Sequence, residues 1–407
     1  MPLQTTPRAD VRAETRPPLR VLFVCVPAAG HVTPMLPLAR EFARRGDEVV
    51  VASGPDVAAA VAAAGLTFRQ VAPGFDEWFA TLAARTPGPP GAGLPSEHVE
   101  RYFVPRLFGE VGLAAMRDGL EALVTDGAPD LIVFEPYAQA APLVAARHGL
   151  PAVQHLIGLR AEPLVLDLVR DAVTPAWAAA GLAAPPAAGP EAGTTLTICP
   201  PLLDPPPAGS SSQPLRTTPL PDPRAAQPVE PPRPDQPLIY VTLGTSFNEP
   251  AVFSTILDGL ADLPVSVLVT LGRDRSSDEL GGIPRNAVVT GFLPQEAVLP
   301  HCSAVVHHGG AGTALGALAH GLPSVVLPRG ADNFAVAARM AAAGAARAVA
   351  PDELTGAAVR DAVRLVLGQP DVRAAAERVA REIAGMPGPQ DVVPRLLDSL
   401  PLRKAVP

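Results

Sequence analysis

Apolar positions along the chain gather into short uninterrupted runs, each closed by a glycine- or proline-marked turn and followed by an alanine-rich or amphipathic stretch. The first run, LRVLFVCV at 19–26, shows no alternation, the pattern of a strand buried on both faces of a parallel sheet. Behind it the spacing predicts a helix over about 34–45, then DEVVVAS as a strand and DVAAAVAAAG as a helix. A glycine- and proline-rich stretch at 86–95 precedes a long helical pattern over 96–124, the strand PDLIVFEP, the helix AQAAPLVAARHG and the strand LPAVQHL. Strands and helices in repeated alternation predict a doubly wound α/β domain.

The pattern breaks between 183 and 237, where APPAAGP, CPPLLDPPPAGSSSQP and PVEPPRPDQP carry a large share of the 51 prolines. Proline lacks an amide proton and clashes inside helices and central strands, so this stretch predicts an interdomain linker. Winding resumes with PLIYVTLG at 237–244, a helix in EPAVFSTILDGLADL, and strands in VSVLVTLG, NAVVTGFLP, AVVHHGG and PSVVLP. The expected division is a loose tail at 1–19, a first domain at 20–200, a linker at 201–237, a second domain at 238–370, and helices at 371–407 that return to the first domain. Two doubly wound domains would face each other across a cleft.

Length agrees, because 407 residues exceed the roughly 250 to 300 that one hydrophobic core accommodates. With 48% hydrophobic and 18% charged residues the chain can fill both cores. A net charge of -8 offers no footprint for a polyanion, which argues against nucleic acid as a partner. Cys25, Cys199 and Cys302 lie far apart, without disulfide-framework or zinc-site spacing, as in a cytoplasmic protein. No stretch reads as a signal peptide, and none reaches the roughly 20 apolar residues of a membrane span.

Ligands of open α/β sheets bind beyond the carboxyl ends of the strands, so the residues after each strand are the candidates for chemistry. AVVHHGGAGTALGALAHG places Gly309, Gly310 and Gly312 just before a helix whose first amides lack partners, a place suited to an anion. His308 and the Thr313 hydroxyl could add donors to the same phosphate oxygens; a glycine turn needed only for packing is the plainer alternative. Phe292 follows a strand and precedes Pro294, so its ring can face the crevice and a planar base, or else join the core. His31 in PAAGHVTP lies on the loop after the first strand, where an imidazole can act as a base in the cleft or serve structure alone. Glu135, closing PDLIVFEP, is a carboxylate able to orient it or a surface acid after a strand. Asp332 reads equally as the cap of the helix from Phe334. Phe75, Trp78, Phe79, Tyr102, Phe103 and Phe108 cluster in a chain only 4% aromatic, which fits either a flat apolar acceptor site or a helix packed on the core.

The stretch FLPQEAVLPHCSAVVHHGGAGTALGALAHGLPSVVLPRGADNFAVAARM, with YVTLGTSFN and PAAGHVTPMLPLAREFARRG before it, resembles the signature of nucleotide-sugar-dependent glycosyltransferases of the GT-B type, particularly the bacterial natural-product (antibiotic and macrolide) enzymes. The likeness runs from residue 20 to about 345 and is weakest in the middle third. It implies two Rossmann-like domains, with His31 as catalytic base and Glu135 as its partner where relatives commonly carry aspartate. It further implies that Phe292 stacks on the nucleobase, the Leu293 backbone pairs with the base edge, and His308, Gly310, Gly312 and Thr313 hold the diphosphate beneath Thr245 and Ser246. Asp332 and Asn333 would bind the donor sugar, Asn333 standing where many relatives carry glutamine. The acceptor would lie against Phe75, Trp78 and Tyr102. The implied reaction moves a deoxyhexose from a dTDP-sugar to an aglycone hydroxyl with inversion, and needs no cofactor. No Asp-x-Asp triplet occurs in the chain, so no metal is implied. A UDP-sugar-dependent transferase acting on a lipid or broad small-molecule acceptor stays open, as do a catalytically silent homologue serving a partner enzyme and a homodimer.

Overall fold

The computed structural model describes residues 17–86, 99–183, 185, 194–207, 209–219, 230–244, 248–272 and 275–401. Two parallel sheets organise them. The first has seven strands, β1 (Arg20–Val24), β2 (Glu48–Ser53), β3 (Thr67–Gln70), β4 (Leu131–Phe134), β5 (Ala152–His155), β6 (Thr195–Thr197) and β7 (Ser212–Pro214), in the order β3-β2-β1-β4-β5-β6-β7. The second has six, β8 (Leu238–Thr242), β9 (Ser266–Thr270), β10 (Ala287–Thr290), β11 (Ala304–His307), β12 (Ser324–Val326) and β13 (Ala346–Ala348), in the order β10-β9-β8-β11-β12-β13.

Alternate residues of β1 enter opposite cores, which is why its run is apolar throughout. Leu22 and Val24 pack with Trp78, Met116 and Val173 on one face. Val21 and Phe23 pack with Leu38 and Phe42 on the other, where Val392, Val393 and Leu396 close the layer. Those last three belong to α10 (Pro389–Ser399), so the chain's final helix returns to the first domain. The preceding α9 (Pro370–Gly385) stays with the second domain, where Ala375, Ala376, Val379 and Ile383 join Ala314, Leu315 and Leu318. Ile198, Cys199 and Leu203 of the first domain enter that same cluster and fasten the two halves together.

The stretch expected to be linker from 201 onward is corrected by β7, which extends the first sheet to Pro214, with Leu215 buried in its core. A proline is tolerated there because β7 is the outermost strand, where an amide proton has no neighbour to bond. The long helical pattern at 96–124 divides into a short helix α4 (Val99–Phe103), a wider i→i+5 stretch (Val104–Gly112) that begins around Pro105, and α5 (Leu113–Gly127).

Each sheet reverses its winding once, between β1 and β4 in the first and between β8 and β11 in the second. Crossovers leave on opposite faces at such a point, so a crevice opens at the carboxyl ends of those strands. The two crevices look into one cavity of about 2620 Å³, lined by both domains.

Candidate active site

The loop leaving β1 carries the short helix α1 (Ala29–Val32), which turns His31 into the cavity. Its neighbour at the switch point, β4, is followed directly by Glu135, whose side chain is fully buried. Glu135 Oε1 accepts the Val26 amide at 3.1 Å and Oε2 accepts the Tyr137 amide at 2.9 Å, so the carboxylate is anchored by backbone on both sides. His31 Nδ1 lies 3.1 Å from Glu135 Oε2, at an angle that does not complete a hydrogen bond. Such bonds commonly tighten when a ligand closes the site. With Nδ1 facing the carboxylate, Nε2 is the nitrogen left for a substrate. The His31 ring rests edge-on against Tyr137 at 5.3 Å and near Phe108 at 6.0 Å, which limits its rotation.

Across the cavity β8 leads through Leu243 into Gly244 and β11 runs into His308. The His308 imidazole lies between two glycines: a Cβ on Gly244 would come within 2.6 Å of its Cε1, and one on Gly310 within 2.5 Å of its Nε2. Burial pushes the His308 pKa down to about 4, so the ring is neutral near pH 7. Gly310 then opens α7 (Ala311–Ala319) without any side-chain cap or acidic residue in the first turn, leaving its amides for an anion. Nothing would obstruct a Cβ on Gly312, and both residues border the cavity. The Thr313 hydroxyl accepts a 2.9 Å hydrogen bond from Gln295 Nε2, which joins the loop after β10 to the same helix start.

Phe292, 37% exposed, and Leu293 line the cavity on that loop. Asp332 occupies the cap position of α8 (Asn333–Ala342), yet its side chain makes no capping bond. The carboxylate instead borders the cavity, where burial raises its pKa and the nearby His31 opposes the rise. Asn333 is buried beside it, and its Oδ1 meets no hydrogen-bond partner among the described residues. Thr245 and Ser246 lie outside the described residues.

The aromatic cluster separates into two groups. Phe75, Phe79, Phe103 and Phe108 line the cavity, with Phe75 stacked on Phe108 at 6.1 Å and Phe108 leading to Tyr137 at 4.8 Å. The expectation that Trp78 and Tyr102 also face it is corrected. On the helix α3 (Phe75–Arg85), Trp78 turns to the sheet and is buried in the core, where a Cβ on Gly112 would come within 2.5 Å of its ring. Tyr102 is one residue, and so a large rotation, from Phe103; its hydroxyl sits 3.5 Å from Thr86 Oγ1 and the Arg106 guanidinium covers its ring at 4.3 Å.

Among the many described residues that line the cavity, four that bear directly on the site were missed in the sequence. Tyr137 stands two residues after Glu135, a proximity that could have flagged it. Gln295 follows Phe292, Leu293 and Pro294 directly in the FLPQ stretch and reaches Thr313. Gly158, after β5, touches the opposite domain: a Cβ there would sit 2.9 Å from Ala311 Cβ and 3.4 Å from Asp332 Oδ2. Glu100 on α4 carries no motif; burial, with Asp332 and Glu162 nearby, raises its pKa to about 7. No described helix is long and apolar enough to cross a membrane.

Comparison with known proteins agrees with this arrangement. Residues 97–217 match the N-terminal domain, and residues 254–399 the C-terminal domain, of the erythromycin biosynthesis protein CIII-like family. The chain is 32% identical over 382 residues to L-demethylnoviosyl transferase of Streptomyces niveus, covering 91% of this chain and 96% of that one. It is 30% identical over 431 residues to tylactone mycaminosyltransferase of Streptomyces fradiae, covering 94% and 93%. Among solved structures it is similar to CalG4, the calicheamicin glycosyltransferase, with a TM-score of 0.78 and 27% identity over 94% of this chain and 99% of that one. It is similar also to SsfS6, a glycosyltransferase of Streptomyces sp. SF2575 complexed with thymidine diphosphate, with a TM-score of 0.77 and 27% identity over 94% and 100%. With both domain models matched in order, the two-domain architecture shared with GT-B enzymes and full-length relatives in antibiotic biosynthesis, the chain belongs to the erythromycin biosynthesis protein CIII-like glycosyltransferases.

Proposed function

We propose that the protein transfers a deoxyhexose from a dTDP-sugar to a hydroxyl of an apolar natural-product aglycone, with inversion at the anomeric carbon and without a metal ion. The observation that carries this reading is the His31–Glu135 pair on one wall of the cavity, with Asp332 and the open start of α7 on the other. His31 Nε2 takes the proton of the acceptor hydroxyl as its oxygen attacks the anomeric carbon, and Glu135 stabilises the imidazolium that forms. The bond from that carbon to the diphosphate oxygen breaks, and its electron pair leaves with the diphosphate. The α7 amides, a His308 N–H and the Thr313 hydroxyl face the charge that develops there, a fixed arrangement that does not have to reorganise during reaction. Asp332 grips the sugar hydroxyls, and Phe292 stacks on the base.

Thymine is supported by the relative that was solved with thymidine diphosphate, and an apolar acceptor by the phenylalanine row leading to His31. Attack from the first-domain side, with departure toward the second, supports inversion. The test offers one aglycone panel with dTDP- and UDP-hexoses of known anomeric configuration and determines product linkage by NMR. Inverted products, formed faster from the dTDP donor, are expected; retained configuration, or preference for the UDP donor, would overturn the corresponding part of the proposal.

A further inference from the structure

Two histidines stand at the end of β11 and the start of its turn, and of the two only His308 lines the cavity. His307, the last residue of the strand, is completely buried. Its Nδ1 is 3.1 Å from the amide nitrogen of Gly309. An amide N–H can only donate, so Nδ1 is the bare nitrogen and the ring proton sits on Nε2. That Nε2 has no hydrogen-bond partner among the described residues, so Nδ1 supplies the ring's one resolved polar contact. Burial also pushes the His307 pKa down to about 3, so a second proton does not displace the Gly309 bond near neutral pH.

Gly309 is held on its other side as well. It stands at φ +98°, in the left-handed region, and a Cβ there would lie 2.9 Å from the Asn333 carbonyl oxygen and 3.1 Å from the Asn333 Cβ. The glycine therefore lies flat on the start of α8 while its N–H is tied to the end of β11. The residues that open α7 follow directly.

We infer that His307 is a positioning residue: by accepting the Gly309 N–H it sets the spacing between the diphosphate-binding start of α7 and the sugar-binding start of α8. The inference rests on the proposed reading of this turn as the diphosphate site. It requires an acceptor at the place of Nδ1, which asparagine supplies with Oδ1; the Oε1 of glutamine falls near the place of Nε2 instead.

The test compares His307→Ala, His307→Gln and His307→Asn with the parent protein, titrating dTDP by calorimetry and thymidine by ligand NMR. His307→Ala and His307→Gln should weaken dTDP about tenfold while thymidine binding is retained, and His307→Asn should recover to within about threefold of the parent. Equal behaviour of the Gln and Asn variants, or parallel loss of dTDP and thymidine binding, would reduce His307 to a core filler and overturn the inference. If the Ala or Gln variant does not fold, nitrogen-15 NMR of the parent imidazole decides: a bare Nδ1 that stays unprotonated down to about pH 4 supports the tie to Gly309, and a proton on Nδ1 removes it. A parent protein that binds neither dTDP nor UDP would instead defeat the diphosphate reading itself, while the tautomer still reports on the Gly309 bond.

Discussion

The two switch-point turns that face each other have the same local plan, a buried strand running into a short turn and a helix, but deliver opposite chemistry. The turn after β1 presents a side chain, His31, backed by a carboxylate that two backbone amides hold in place. The turn after β11 presents backbone, with a neutral His308 wedged between Gly244 and Gly310 and an uncapped helix start behind it. A base must take up a proton during the reaction, so it needs a titratable group whose charged form has a partner. A diphosphate arrives already charged, so fixed dipoles are enough to hold it. On the proposed reading, the division between the lobes follows from that difference in demand.

If the division holds, each wall can be damaged separately. The largest effect is expected from His31→Ala, which should lower kcat by about a thousandfold while leaving dTDP affinity measured by calorimetry within about twofold. Comparable losses in both quantities would show that the base wall also holds the donor. Gly310→Ala is the complementary cut. Gly310 has an ordinary φ of -61°, so alanine brings no backbone strain, only a collision with a His308 ring that Gly244 prevents from retreating. About tenfold weaker dTDP binding with a Tm lowered by the overpacking is expected, and undiminished affinity would mean that His308 does not contribute.

Gly158→Ala probes the contact between the walls. Its new methyl would press on Ala311 and approach Asp332, so kcat should fall about threefold to tenfold through misalignment across the cavity; single-turnover kinetics would show an unaltered chemical rate if the lobes simply accommodate it. The smallest effect concerns Glu100, whose pKa is raised in the folded state from 4.5 to about 7. The folded protein binds this proton more tightly than the unfolded chain, so the stabilisation is complete below about pH 4.5 and is lost as pH rises through about 7. Glu100→Gln should therefore melt with the parent at about pH 4.5 and above it at about pH 8, by about 1 kcal/mol once solvent screening of a partly exposed carboxyl is allowed for. Coincident melting at both values would place Glu100 in water rather than in the cavity wall.

The motif-bearing residues were readable because their constraints are local. Gly310 and Gly312 mark a helix start in the sequence itself, and His31 and Glu135 can be nominated because each follows an apolar run. The aromatic cluster shows the limit of that reasoning. Composition collects Phe75, Trp78 and Tyr102, but rotation about α3 and α4 decides which rings reach the cavity, and Trp78 and Tyr102 do not. Proline content likewise misplaced the edge of the first domain, because an edge strand such as β7 has no use for the amide proton that Pro214 lacks.

By itself the sequence determined that the chain winds two parallel sheets, where the long apolar strands β1, β4, β8 and β11 end, and which turns can carry a base or an anion, since apolar runs, glycines and helix starts act over a few residues. Only the tertiary structure decided that β1 adjoins β4 and β8 adjoins β11, which puts Glu135 beside His31 and Gly244 against His308. Those neighbours are separated by 104 and 64 positions along the chain and meet only because sheet order and the returning helix α10 fold distant segments onto one cavity.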